Sequence, residues 1–359
     1  MINLLKNLYI AADYKRSAAS LNHTLRVGGP ASAGTMVVLV YRLEPRSGGL
    51  RNVARIVNAL AGHLGKSIQL YIQNPEKTDA SLTREYGFRA DVASSLPTAA
   101  DLYVTTSFIF SLSLPDLLAK FPSRWNHIIQ DYDELFFPIS TRYYHAAKVK
   151  VGPEAFIASG KWMKLPGRTA YLPFPVDPAI YHASPASAAK RDIDVLFFHK
   201  PELPRRCALV CEQLAETLLV ARPDLRIAFY GSNLSKRLTK ARVEHLGALP
   251  SLETLGNVYR RSRVGVSFNL TNPSLIPFEH MASGCMPVSP YVESPPEFHL
   301  PGIHVEGTLS QLSEHVLARL ELPDLETQAL SLYDSYLDQG YLCRKEDFGR
   351  AVIEAIETL

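Results

Sequence analysis

Short apolar runs alternate along the chain with segments in which apolar residues recur every three to four positions. The runs MVVLVY (36–41) and SIQLYI (67–72) flank one such segment, residues 50–64. A strand, a helix and a second strand in this order form a βαβ unit, which places the two strands parallel in one sheet. The pattern predicts an α/β fold with helices on both faces of parallel sheets.

This alternation occurs in two series separated by a different composition. In the first series, strand-like runs follow the βαβ unit at 101–107, 126–130 and 155–160. In the second, they lie at 194–199, 226–231, 243–249, 264–270 and 286–290, and two long helical patterns end the chain. Residues 171–191 carry four prolines with several alanines and serines, a composition typical of a linker. We therefore predict two doubly wound domains, 1–175 and 190–340.

Composition agrees with two soluble domains. The chain has 359 residues, 47% of them hydrophobic and 20% charged, which is ordinary for a globular protein and long for a single core. No stretch has the roughly 20 apolar residues of a membrane-spanning helix, and the N-terminus lacks the features of a signal peptide. Cys207 and Cys211 lie four apart in a predicted helix without a second pair at metal spacing, so we expect buried thiols. A cytoplasmic location fits best.

The formal net charge of +3 is too small to indicate a nucleic-acid partner. Its distribution is uneven, because six cations fall in one stretch: Arg142, Lys148, Lys150, Lys161, Lys164 and Arg168. Apolar residues at 4, 5, 8 and 9 form a stripe on a predicted N-terminal helix. A solvated basic face and a packed first helix is the favoured interpretation; peripheral contact with an anionic membrane surface is the alternative.

The stretch from Val264 to Pro290 holds the clearest candidate chemistry. A buried strand runs into a turn at Asn272, Pro273 and Ser274, and a helix begins with Pro277 in its first turn. The N–H groups from Asn272 through Leu275 to residue 276 are expected to be free and to offer a phosphate site. Glu279 then accepts hydrogen bonds from two ribose hydroxyls. The alternative is that the helix dipole alone favours this carboxylate.

Other candidates in the second series follow its first two strands. Lys200, Arg205 and Arg206 come after the strand 194–199, and an arginine fork suits a diphosphate. The alternative, a solvated basic helix start, is disfavoured because cations there oppose the helix dipole. Gly231 and Ser232 end the strand 226–231, where glycine allows close approach of a base or phosphate but is also an ordinary turn residue.

The first series contributes a glycine pair and two aspartates. Gly48 and Gly49 follow its first strand. Asp131 and Asp133 follow the strand 126–130, and Asp131 either contacts a substrate or only caps a turn. We assign no metal to this Asp-x-Asp pair. The second Asp-x-Asp, at 192 and 194, precedes a strand, which is the wrong end for a site.

The stretch NPSLIPFEHMASG resembles the nucleotide-sugar motif of glycosyltransferase family 4. Glu279 aligns with the second glutamate of that motif, Pro277 with its proline and residues 282–284 with its small-residue helix end. Thr271 stands where the first glutamate is usual, and Asn272-Pro273-Ser274 replaces the glycine-rich turn. The variant form, together with IIQDYDELFFP (128–138) and HKPELPRR (199–206), is similar to bacterial rhamnosyltransferases of the S-layer rhamnan type.

The resemblance implies a GT-B glycosyltransferase, with two Rossmann-like domains facing a cleft and a final helix, within 341–359, that crosses back to the N-terminal domain. It implies that Gly48 and Gly49 approach both acceptor and donor phosphate, and that Glu279 and Asp131 are catalytic. The expected reaction is retaining and metal-independent transfer of a sugar, L-rhamnose from dTDP-rhamnose, to a bacterial surface glycan or lipid-linked glycan. Two alternatives are a family 4 enzyme with a UDP- or GDP-sugar, and a catalytically inactive binding subunit.

Overall fold

The computed structural model describes residues 25–45, 47–78, 81–138, 140–183, 191–232, 243–291 and 299–359. The chain forms two compact units, and each is described by itself. The first unit extends to Leu172 and includes the last residues, Phe348–Leu359; the second unit is Pro173–Asp347. The predicted apolar stripe at residues 4–9 lies outside the described residues.

The first unit is built on a seven-stranded parallel sheet in the order β4-β3-β2-β6-β7-β8-β9. Its strands are β1 Val27–Pro30, β2 Thr35–Val40, β3 Ser67–Ile72, β4 Asp91–Ala93, β5 Leu96–Thr98, β6 Leu102–Thr105, β7 Arg124–Ile129, β8 Ala155–Ser159 and β9 Arg168–Leu172, and β1 pairs only with β5. Its helices in this part of the chain are α1 Gly48–Leu64, α2 Ser81–Glu85, α3 Leu114–Lys120 and α4 Thr141–Ala147.

Helix α1 shows how the sequence fixes this unit. The Ser47 hydroxyl accepts a hydrogen bond from the Leu50 N–H and caps the helix start, and Gly65 ends the helix in the left-handed conformation. Ile56, Val57 and other apolar residues of one face are buried, and the helix packs against β3, the neighbour of the fully buried strand β2. The helix begins two residues earlier than predicted, so Gly48 and Gly49 form its first turn.

The second unit holds a six-stranded parallel sheet in the order β13-β12-β11-β14-β15-β16. Its strands are β10 Phe174–Val176, β11 Ile193–His199, β12 Ile227–Gly231, β13 Val243–Gly247, β14 Ser262–Val266, β15 Met286–Pro290, β16 His304–Val305 and β17 Leu342–Arg344, and β10 pairs with β17. Its helices are α5 Ala208–Ala221, α6 Leu252–Arg261, α7 Ile276–Ala282, α8 Leu309–Leu320 and α9 Leu325–Asp338. The stacked rings of Phe197 and Phe229 lie in its core.

The last helix, α10 Phe348–Glu357, belongs to the first unit, where it packs against α1 and β9. Its buried residues are Phe348 and Val352. The predicted α/β fold of two doubly wound parallel sheets with a returning final helix is therefore confirmed. The predicted linker is partly wrong, because residues 168–172 and 174–176 form β9 and β10. Among the described residues, no helix is both long and apolar enough to span a bilayer.

Candidate functional site

The strand order of the second unit creates a switch point beside its central strand. The chain passes outward from β11 to β12 and β13, and then returns to the other side of β11 as β14. Ligands of open parallel sheets bind at such a point, outside the carboxyl ends of the strands. The two loops that flank it follow β11 and β14. They contain most of the residues that the sequence predicted for the donor site.

Arg206 joins these two loops. Its side chain is 9% exposed, and one guanidinium nitrogen donates to the Phe268 carbonyl at 3.2 Å and to the Asn269 side-chain oxygen. The other terminal nitrogen lies 3.4 Å from the Ser274 Oγ, and the Phe198 ring packs against the guanidinium. These contacts hold the turn that precedes α7. Arg206 therefore positions the turn before α7. Arg205 and Lys200 lie in the same loop and are half-buried.

The turn before α7 has an unusual backbone. Ser274 adopts φ +61°, a left-handed conformation that is uncommon for a residue with a side chain. Its hydroxyl accepts from the Ile276 N–H at 3.4 Å, so the predicted set of free N–H groups is wrong at residue 276. Asn272 and Leu275 are half-buried beside it. The hydroxyl of Thr271 is buried and has no hydrogen-bond partner in the described part of the chain.

Glu279 lies in α7, half-buried, close to a pair of buried tyrosines. The hydroxyls of Tyr230 and Tyr259 are 2.8 Å apart. Burial raises the pKa of both tyrosines, and the negative charge of Glu279 raises it further. The neighbouring His280 does not face the site, because it is fully buried against Tyr259 and Gly265 and burial lowers its pKa to about 3.

The end of β12 approaches the end of β11 closely. Gly231 has φ +116°, and a Cβ there would come within 2.5 Å of the His199 carbonyl oxygen. Only glycine fits this position without strain. The Ser232 hydroxyl donates to the Glu202 carboxylate at 2.8 Å, which ties the loop after β12 to the loop after β11. Gly231, Ser232, Lys200, Arg205, Arg206 and the 272–279 segment thus lie at one edge of one sheet.

The first unit has its own switch point, between β2 and β6, and its candidates lie at the carboxyl edge there. The Gln130 amide donates to the Gly49 carbonyl at 3.2 Å, which joins the loop after β7 to the first turn of α1. Gly48 and Gly49 are therefore close to the segment that carries Asp131. Gln130 was not among the site residues predicted from the sequence. Its place directly after a buried strand is the signal that would have identified it.

The aspartates of this unit are held in a well-packed segment. Asp131 is buried, and the Asp133 carboxylate accepts a hydrogen bond from the Phe108 N–H at 3.4 Å. The Tyr132 hydroxyl between them accepts from the Lys164 N–H at 2.9 Å. These contacts connect the loops after β6, β7 and β8. They hold the segment with Asp131 and Asp133 at the carboxyl edge of the sheet, where Gln130 bonds the Gly49 carbonyl.

The second Asp-x-Asp pair is structural. Asp194 bonds Arg226 at 3.0 Å and Asp192 bonds Arg261 at 2.8 Å, at the amino end of the sheet. The cysteines are free thiols; Cys211 and Cys285 are buried as expected, whereas Cys207 is half-buried at the N-cap position of α5, so the prediction of a buried thiol is wrong there. No group of three or more His, Cys, Asp and Glu side chains able to hold a metal occurs among the described residues.

Comparison with known proteins gives the fold family. Residues 193–303 match the sequence model of a family described as WsaF, C-terminal domain. Sucrose-phosphate synthase from Thermosynechococcus elongatus is 13% identical with TM-score 0.63, covering 90% of this chain and 98% of that one. HepE from Anabaena, in complex with UDP and glucose, is 12% identical with TM-score 0.67, covering 90% and 99%.

A glycosyltransferase from Rickettsia africae is similar as well, with 12% identity and TM-score 0.62, covering 91% of this chain and 99% of that one. The search of curated proteins gave no match. Identities this low support conclusions about fold alone. The chain has the GT-B glycosyltransferase fold, as the resemblance predicted.

Proposed function

We propose that this protein is a glycosyltransferase that takes a sugar from a nucleotide-sugar donor bound to its second unit. One observation carries the proposal. The cations after β11, the glycine end of β12 and the turn and carboxylate of α7 meet at the switch point of one parallel sheet. This edge is where open α/β sheets bind nucleotides. The likeness in fold to HepE, a protein that binds UDP and glucose, supports it.

Within this site each group has a proposed role. Glu279 accepts hydrogen bonds from the furanose of the nucleotide, from the single 3′-hydroxyl of the deoxyribose in dTDP or from both hydroxyls of a ribose, while Arg205 and Lys200 bind the diphosphate. The backbone of Asn272, Ser274 and Leu275 adds N–H donors to it. Gly231 and Ser232 leave room for the nucleotide. In the first unit, Gly48, Gly49, Asp131 and Asp133 bind the acceptor, and Asp131 stabilises positive charge as the glycosidic bond breaks. Glu279 and Asp131 are thus the proposed catalytic pair.

The finer assignment rests on motif similarity. The variant turn NPS before IPFEHMASG and the segment IIQDYDELFFP favour L-rhamnose from dTDP-rhamnose as donor and a bacterial surface glycan, free or lipid-linked, as acceptor. The match of residues 193–303 to the WsaF C-terminal domain covers the first of these segments. We propose a retaining, metal-independent reaction at the cytoplasmic side of the membrane. A UDP- or GDP-sugar is the alternative donor, since the diphosphate and a furanose 3′-hydroxyl are common to all three.

Nucleotide binding tests the proposal. Thermal unfolding is measured with dTDP, UDP and GDP, because a ligand that binds only the folded state raises the melting temperature. The largest shift with dTDP supports the rhamnosyl assignment, and a larger shift with UDP or GDP reassigns the donor. Binding of a nucleotide without hydrolysis or transfer of any offered sugar favours the inactive subunit, for which Thr271 is the motivation. No shift with any nucleotide contradicts a donor site.

Metal independence has a direct test. EDTA is expected to leave transfer largely intact, because arginine, lysine and backbone N–H groups stabilise the leaving diphosphate without a divalent ion. Loss of activity that manganese or magnesium restores would instead assign a metal to Asp131 and Asp133.

A further inference from the structure

In the first unit, the acidic stretch directly after β7, which holds Asp131, Asp133 and Glu134, is followed by a strongly basic one. Residues 135–172 contain six lysines and arginines and a single acidic residue, Glu154. The segment therefore has a formal charge of +5, against +3 for the whole chain. Glu154 lies 3.5 Å from Arg124, a residue outside the segment. This concentration of charge attracts an anionic partner.

One face of α4 and the turn that follows it is exposed. Exposed residues lie at positions 141 and 144 of α4, at 148 in the 3-10 turn Lys148–Lys150 that continues it, and at 151 directly after that turn. Tyr144 is 58% exposed and Val151 is 73% exposed. The ammonium of Lys148 lies 5.3 Å from the centre of the Tyr144 ring. We call Tyr144, Lys148 and Val151 the α4 face.

The other cations near α4 are engaged differently. Lys150 bonds the buried carboxylate of Glu134 at 2.5 Å, so its charge is balanced inside the unit. The Arg142 guanidinium lies 4.3 Å from the centre of the Phe137 ring. Lys148 is thus an exposed cation set between an exposed aromatic ring and an exposed aliphatic side chain. By contrast, exposed Val92 in β4 directly follows an acidic residue, Asp91.

We propose that the α4 face docks on an anionic lipid surface. A tyrosine, with an apolar ring and a polar tip, is suited to the headgroup region, and an exposed valine gains free energy by leaving water. Lys148 and the surrounding basic segment are attracted to anionic headgroups. A soluble polyanion would use the cations but would leave Val151 and the Tyr144 ring in water. A lipid surface is the partner that accounts for both features together, and this inference does not depend on the donor site.

Vesicle co-sedimentation tests the proposal with the full chain. The protein is expected to bind vesicles of mixed phosphatidylcholine and phosphatidylglycerol, more weakly at high salt, and to bind phosphatidylcholine vesicles poorly. The double variant Tyr144→Ser, Val151→Ser is expected to lower the partition coefficient about tenfold. Lys148→Glu should lower it by about tenfold or more, because an attracted charge is replaced by a repelled one.

Two variants serve as matched controls. Val92→Ser removes an exposed valine from the same unit. Lys120→Glu reverses an exposed cation at the end of α3, which leads into the start of β7, whereas α4 follows the end of that strand. Neither control should change binding by more than about twofold, since neither touches the α4 face. Circular dichroism and nucleotide-induced melting shifts confirm that each variant is folded.

Three outcomes overturn the proposal. The first is absence of binding to phosphatidylglycerol vesicles at low salt. The second is a loss of binding in the Val92 or Lys120 controls as large as in the α4-face variants. The third is a loss with Lys148→Glu but none with the Tyr144, Val151 double variant, which would assign the surface to a soluble polyanion.

Discussion

At the scale of single residues, two adjacent arginines illustrate what sequence can and cannot predict. The motif placed Arg205 and Arg206 together in a diphosphate-binding loop. Only the fold shows that Arg206 bonds Phe268, Asn269 and Ser274, residues more than sixty positions away. A local pattern contains no information about such contacts. The type and neighbourhood of site residues are therefore predictable, whereas the division between binding and positioning is not.

Exchange of each arginine for alanine separates these roles. Arg206→Ala leaves several buried polar groups without their donor, so we expect the free energy of unfolding to fall by about 2–4 kcal/mol. Arg205→Ala is expected to change it less and to weaken donor binding by roughly 1.5–3 kcal/mol. Urea unfolding and nucleotide titration measure the two effects. Equal stability loss in both variants, with donor affinity unchanged by Arg205→Ala, would contradict the division.

Gly231 offers a second test at this scale. An alanine there must adopt φ +116° and bring its Cβ toward the His199 carbonyl, so Gly231→Ala should destabilise the protein by about 2–4 kcal/mol. Gly62→Ala is the matched control. Gly62 lies exposed in α1 with no atom within 4 Å of a built Cβ, and alanine there should stabilise by about 0.5–1 kcal/mol. Similar melting temperatures for the two variants would refute this reasoning.

At the scale of elements, the bounds of a strand or helix were predicted best where the segment is long and its apolar residues recur regularly. The strands 67–72 and 286–290 were predicted at their observed bounds. The strands missed were short. β10 is Phe-Pro-Val, and its partner β17 lies more than 160 residues further along the chain. Proline and a distant partner make such a strand resemble a linker within any local window.

Pairing between elements of the second unit depends on Asp194. Its carboxylate bonds Arg226, next to β12, and lies 3.4 Å from Arg263 of β14. Burial raises the pKa of Asp194, but the bonds and charges of Arg226 and Arg263 outweigh it and leave the pKa below its usual value. The unfolded chain thus has the higher pKa. The stabilisation is present at neutral pH, and it is lost as pH falls through the lowered pKa of the folded state.

Asp194→Asn should therefore lower the free energy of unfolding by about 1–3 kcal/mol at neutral pH, with a smaller difference in acid. Asp192→Asn is the control, because its bond to Arg261 is on the surface and should contribute about 1 kcal/mol or less. Urea unfolding at several pH values measures both. A difference between wild type and Asp194→Asn that grows toward acid pH would contradict the assigned sign.

At the scale of the whole molecule, the path of the chain was predictable only when an apolar pattern and a family resemblance were combined. Apolar residues at 348, 351, 352, 355 and 356 give the last helix an apolar face that must pack on another element, and the GT-B resemblance indicated where. The chain leaves the first unit after Leu172 and returns to it at Phe348. Residues 342–344 form β17, which pairs with β10 of the second unit. The part of the chain that returns to the first unit therefore begins at Phe348 and not at residue 341.

This boundary leads to a test of the returning helix by a substitution in the full chain. Val352 is fully buried where α10 packs in the first unit, so Val352→Asp places a charge in an apolar contact and should destabilise that unit by about 3–5 kcal/mol. Glu354→Ala, on the exposed side of the same helix, is the control and should change stability by less than about 0.5 kcal/mol. Hydrogen exchange resolves the two units. Protection in β2, β3 and α1 should fall while β11, β12 and β14 keep theirs, because the helix packs against α1 and β9 of the first unit. Equal loss of protection in both sheets would show that the chain unfolds as one cooperative body and that α10 supports more than the unit on which it packs.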